Sequence, residues 1–140
     1  MTDEVTAPPE VVRDFYCDLH NTVRVHPLVI SVQVTGRDQT EDAHTVIYRV
    51  RDRIPLGPFT VKVAYTARVH VPSHGDVLTD AQQFPRVRLR GVVSFDGVDG
   101  GTRVTERLVI TAPRPLAALT VREAVRAHAE MLAGIRRHFG

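Results

Sequence analysis

Between residues 30 and 110 the apolar residues recur at every second position, row after row, with turn residues between the rows. Ile30, Val32 and Val34 alternate with Ser31, Gln33 and Thr35. Val46, Tyr48 and Val50 follow, then the long row Phe59, Val61, Val63, Tyr65, Ala67 and Val69. After a weaker segment over 77–84, mixed on both faces, come Val87, Leu89, Gly91, Val93 and Phe95, and finally Val104, Glu106, Leu108 and Ile110. Successive side chains of a strand point to opposite faces, so each row reads as one half-buried strand. The breaks carry turn chemistry, as in Pro55-Leu56-Gly57-Pro58 and Pro72-Ser73-His74-Gly75-Asp76;. Hairpin-length connections predict one antiparallel sheet with one wet face.

Such a sheet must bury its apolar face, and one long amphipathic segment remains to cover it. In residues 121–139 the positions at helical spacing are Val121, Val125, His128, Leu132, Ile135 and Phe139. Five are apolar; the sixth is an imidazole, which makes sense on a buried face if that face borders a space holding ligand or water, and is otherwise a structural core histidine. At the other end, Pro8, Pro9 and Glu10 suit a first helical turn, and Val12, Phe15 and Leu19 predict a helix over 8–19;. Residues 20–25 add a short second helix, stopped by Pro27. The chain of 140 residues has the size of one domain, spanning 1–140;. No apolar run is long enough to span a bilayer, and the acidic start M-T-D-E-V-T-A-P-P-E has no leader pattern, which predicts a cytoplasmic protein;. Cys17 is the single cysteine, so no intrachain disulfide or thiolate zinc site is expected;.

The element order resembles the helix-grip fold of the START-like (SRPBCC) superfamily, which includes polyketide cyclases, lipid-transfer domains and plant hormone-binding proteins. The stretches carrying the likeness are A-P-P-E-V-V at 7–12, H-P-L-V at 26–29, G-G-T-R-V-T at 100–105 and A-P-R-P-L at 112–116. The resemblance implies an α+β fold in which a curved antiparallel sheet of six to seven strands wraps around a long C-terminal helix, with two short helices near the N-terminus. It also implies a cavity between sheet and helix that holds a hydrophobic ligand. Two departures stand out. The first strand, Thr2 to Thr6, is short, so its edge is either frayed or completed by a second chain, which leaves a homodimer open. There is no tryptophan, whereas aromatase/cyclases often line their pocket with large aromatics.

Glu106 is in phase with Val104, Leu108 and Ile110, so alternation turns its carboxylate inward, where it needs a proton or a partner. His128 is the nearest candidate, because last strand and last helix both line the implied cavity. Tyr48 and Tyr65 add hydroxyls on inward rows. The predicted ligand-contacting set is therefore Tyr48, Tyr65, Val93, Glu106, His128 and Leu132, with His26 near the mouth. Glu106 and His128 are the candidates for proton transfer if there is catalysis. No metal is expected: His70 and His74 straddle a strand end and a turn, and His20 and His26 lie on different faces of a broken segment;. No cofactor motif is present, and none is expected.

Of the 18 basic residues 17 are arginine, many on outward rows, from Arg49 and Arg51 through Arg86, Arg88 and Arg90 to Arg103 and Arg107. With no exposed aromatic between them there is no base-stacking platform, so a solvated face is expected rather than a specific nucleic-acid site. The function expected is binding, or transport, of a hydrophobic or amphipathic small molecule such as a lipid or polyketide. Binding is favoured over catalysis. The alternatives are a polyketide cyclase/dehydratase-type enzyme using the same cavity, and a protein-interaction module of the same fold.

Overall fold

The computed structural model describes residues 1–84, 86–114 and 117–140. Pro115 and Leu116, the end of the A-P-R-P-L stretch, lie outside the described residues. In chain order the elements are β1 (Thr2–Val5), α1 (Pro9–Cys17), a 3₁₀ turn (Leu19–Asn21), α2 (Thr22–Val25), β2 (Val29–Gln39), β3 (Ala43–Leu56) and β4 (Phe59–Pro72). Then come β5 (Val77–Gln83), β6 (Val87–Val98), β7 (Gly101–Thr111) and α3 (Ala117–Phe139). The seven strands form one antiparallel, curved sheet in the order β1-β7-β6-β5-β4-β3-β2. Only the step from β1 to β2 crosses the sheet, and α1 and α2 make that crossing. This is the α+β helix-grip architecture.

The inward rows meet where the alternation places them. Val5, Val50, Val69, Val77, Val93 and Val104 come from six different strands, and each is at most 2% exposed. Fully burying one such side chain is worth about 1.5–3 kcal/mol, so this valine layer accounts for much of the attraction between sheet and helix. Met131, Leu132 and Ile135 of α3 close the layer from above. Gly134 lets α2 lie against α3: a Cβ there would stand 3.0 Å from both the Cβ and the carbonyl oxygen of Val25.

Three rows depart from their expected burial. Ile30 is 40% exposed, because a register shift between Val29 and Ser31 skips it and gives the inward place to Val29. A bulge of this kind adds one unpaired residue and reverses parity behind it. Phe59 and Val61 are 73% and 39% exposed. They belong to the part of the β3–β4 hairpin, residues 53–62, that pairs only with itself beyond the reach of β2 and β5. On α3, Val121 and Val125 are exposed, and Thr120, Glu123, Ala124 and Ala127 take the inner stripe instead. The expected second helix is also shorter than residues 20–25, being a 3₁₀ turn followed by a single turn of α2.

Candidate functional site

The concave groove between sheet and α3 is filled at one end and hollow at the other. At the filled end α1 inserts Val12, fully buried, and Tyr16, whose ring meets Phe95 edge-on at 5.5 Å. At the hollow end the facing residues are small: Ala124 and Ala127 on α3 look toward Ala67 and Ala81 on the sheet. The result is a cavity of about 370 Å³, walled by Val50, Val63, Leu89 and Ile110 and roofed by Met131. This volume lies at the low end of the roughly 300–1,000 Å³ that small-molecule pockets span.

A polar chain enters this space from α3. Glu106, on β7, is 1% exposed. Its Oε2 accepts a hydrogen bond from the Tyr16 hydroxyl, and both its oxygens lie 3.1 Å from His128 Nδ1. Burial above all, and then the Glu106 charge, push the Tyr16 phenol well above its ordinary pKa, so it remains a donor;. A carboxylate on Nδ1 holds the imidazole proton there and leaves Nε2 facing the cavity that His128 lines;. Beside it His26 lines the same cavity, its ring perpendicular to that of His128 at 5.6 Å. Its Nδ1 accepts the Leu28 amide at 3.3 Å. Burial, helped by the neighbouring His128, depresses the His26 pKa to about 3, so this imidazole is neutral.

A second carboxyl stands on the sheet side. Asp52 continues the inward row Val46, Tyr48, Val50 by one more step of two, is 7% exposed and lines the cavity. Tyr65, diagonal to it on β4, directs its hydroxyl toward the same carboxyl. Oδ1 nevertheless has no hydrogen-bond partner among the described residues. Burial raises the Asp52 pKa to about 6, against the opposing pull of Tyr65 and His128;. The Arg53 amide donates to the Leu28 carbonyl at 2.8 Å, which ties the His26-Pro27-Leu28 segment beside Asp52. His26, His128, Asp52 and Tyr65 thus form one polar corner in an otherwise apolar cavity.

Of the residues expected to contact ligand, Tyr65, His128 and His26 line the cavity, and Glu106 lies one shell behind His128. Tyr48, Val93 and Leu132 are packed in the core outside it. Tyr48 has the inward phase but lies under the 3₁₀ turn, where its hydroxyl reaches the Cys17 carbonyl at 3.4 Å and its ring meets His20. Alternation tells inside from outside, but it does not tell which half of the groove α1 fills. Asp52 and Tyr16 are absent from the expected set. The signal for Asp52 is present in the sequence: Arg-Asp-Arg reads as a charged turn approach, yet Asp52 keeps the parity of Val50. Tyr16 follows Val12 by four, one helical turn, a spacing that the neighbouring Phe15 masks.

Among the described residues no cluster of three or more His, Cys, Asp or Glu is placed to hold a metal ion. The convex face carries the outward arginines as the alternation requires, but its expected lack of an aromatic is corrected by Phe84. This ring is 92% exposed at the β5–β6 turn, among Arg86, Arg88 and Arg68. The parity of the weak segment 77–84 gives no sign that its last residue leaves the sheet.

No protein-family model matches the chain, and no curated protein does. Solved structures do. TTHA0849 of Thermus thermophilus superimposes with a TM-score of 0.74 at 20% identity, over 98% of this chain and 92% of that one. A STAR-related lipid transfer protein of Xanthomonas axonopodis gives 0.74 at 14% identity, over 99% and 82%. The Zhui aromatase/cyclase of Streptomyces gives 0.72 at 15% identity, over 99% and 90%. The chain therefore has the fold of START-like proteins, which host both ligand carriers and cyclases.

Proposed function

We propose that this protein binds one compact, largely apolar small molecule in the cavity between the sheet and α3. The observation that carries this reading is the hollow half of the groove. A fold with no need for a ligand would fill about 370 Å³ with side chains, because interiors pack closely and voids larger than a water are few;. Here alanines and a threonine face one another across it. The fold's occurrence in both a lipid transfer protein and aromatase/cyclases agrees with an apolar guest.

A second reading, acid–base chemistry of the cyclase type on that guest, is favoured by one specific contact. Glu106 on His128 Nδ1 is an arrangement that orients an imidazole for proton exchange with a bound molecule;. Binding is the stronger reading, since the cavity serves it with or without proton transfer.

Native mass spectrometry of freshly purified protein tests the binding reading. An added mass that persists under native conditions and is lost on denaturation is the expected result. Bare protein from every preparation, together with no uptake of an added panel of apolar compounds, would contradict it.

A further inference from the structure

We propose that the polar corner is a recognition subsite for a hydrogen-bond donor, and that the guest carries a hydroxyl or a protonated amine seated on Asp52 Oδ1. The proposal rests on the cavity reading above and adds the chemical class of the ligand.

Buried polar atoms in folded proteins nearly always have a partner, and an acceptor without one needs an explanation. Asp52 Oδ1 lies inside the cavity wall, on a residue 7% exposed, with no donor among the described residues. The neutral His26, whose Nδ1 accepts the Leu28 amide, keeps a donor at Nε2 that does not reach Asp52 Oδ1. Three other donors nearby are already directed. Tyr65 serves the same carboxyl, His128 Nδ1 is held by Glu106, and the Arg53 amide is held by Leu28. A wholly apolar guest would leave this oxygen dry and unpaired and would be penalised for doing so. A guest with one donor at that end satisfies it, while its body lies along Val50, Val63, Leu89 and Met131. Asp52 also lies on β3, one strand in from the sheet edge, where pairing with Val29 on β2 and Val63 on β4 holds it on both sides. A subsite on a fixed element discriminates better than one on a loop.

The test uses the full chain and three probes of one shape: 2-naphthol, 2-methylnaphthalene and 2-naphthylmethylammonium, titrated by fluorescence. A hydroxyl donated to a buried carboxylate should give 2-naphthol an advantage of about tenfold or more over 2-methylnaphthalene, against the latter's greater hydrophobicity. In Asp52→Leu that advantage should vanish while 2-methylnaphthalene binds at least as well as before. In Asp52→Asn, which keeps a neutral carbonyl oxygen, an intermediate preference should remain. Whether the hydroxyl or the ammonium probe binds tighter separates two kinds of donor, and either order supports the subsite. Equal affinities for the naphthol and methyl probes in the native protein would overturn the proposal and leave the cavity reading standing. So would a naphthol preference that survives Asp52→Leu. If none of the probes binds and no co-purified mass is found, the cavity reading fails first and the subsite falls with it.

Discussion

Asp52 and Glu106 are carboxyls on inward rows of the same sheet, and their surroundings are opposite. Glu106 has a phenol and an imidazole on its two oxygens, whereas Asp52 has one oxygen without a partner among the described residues. Different mutations should therefore hurt. Tyr16→Phe removes the donor from a fully buried carboxylate and should destabilise the fold by about 1–3 kcal/mol in urea titrations. His128→Ala should cost a similar amount, because it strands the same carboxylate. Asp52→Asn should do the reverse at neutral pH. The Asp52 pKa rises from 3.8 unfolded to about 6 folded, so the native state binds its proton more tightly. Its contribution is most favourable below pH 3.8 and is lost as pH rises through 6;. Tyr65 from β4, His128 from α3 and His26 ahead of β2 face this group. His26, with its depressed pKa, opposes the trend by losing stability as pH falls below 6.5, so the comparison must be between wild type and variant. Asp52→Asn should be more stable than wild type by about 2–3 kcal/mol above pH 7, and this gap should close toward about pH 4. A gap that does not change with pH would mean that Asp52 is hydrated, not buried.

At the scale of elements, parity is the most legible property of the sequence. Val46, Val50, Val69, Val93 and Val104 are where alternation puts them, because a strand's period of two leaves no intermediate choice. What parity does not carry is how far a strand's neighbours extend or where a bulge interrupts them. Ile30 departs from it at a bulge, while Phe59 and Val61 keep their parity and are exposed because the hairpin runs past its neighbours. On α3 the apolar residues are spread around much of the helix, so Val121 and Val125 fit one stripe as well as Ala124 and Ala127 fit another. The sheet's demand for space, invisible along the helix itself, decides between them. The contact of α2 with α3 gives a sharp test of packing against propensity. Alanine is favoured over glycine inside a helix by about 1 kcal/mol, so Gly134→Ala should raise the melting temperature if nothing lies against it. With Val25 as close as it is here, the variant should melt lower and expose the α2 amides to faster hydrogen exchange. A rise in melting temperature would show that α2 does not pack as described.

At the scale of the whole molecule, the cavity is the consequence of a mismatch. A curved seven-stranded sheet offers a groove longer than α1 can fill, and α3 spans the remainder with small side chains. No single segment encodes that space, so the existence of the cavity follows only from the resemblance and its position from the fold. The proposed binding depends on this space being empty of protein atoms. Ala124→Trp on α3 tests it, because the indole would occupy the hollow end and the chain has no other tryptophan. The decisive measurement is titration of this variant and of wild type with 2-naphthol, alongside a thermal melt and the indole emission spectrum. Blue-shifted emission from a buried indole, a melting temperature equal to or above wild type, and binding weakened beyond detection are expected. Wild-type affinity with a solvent-exposed indole, or a collapse of the melting temperature as in an already filled core, would contradict the proposed binding.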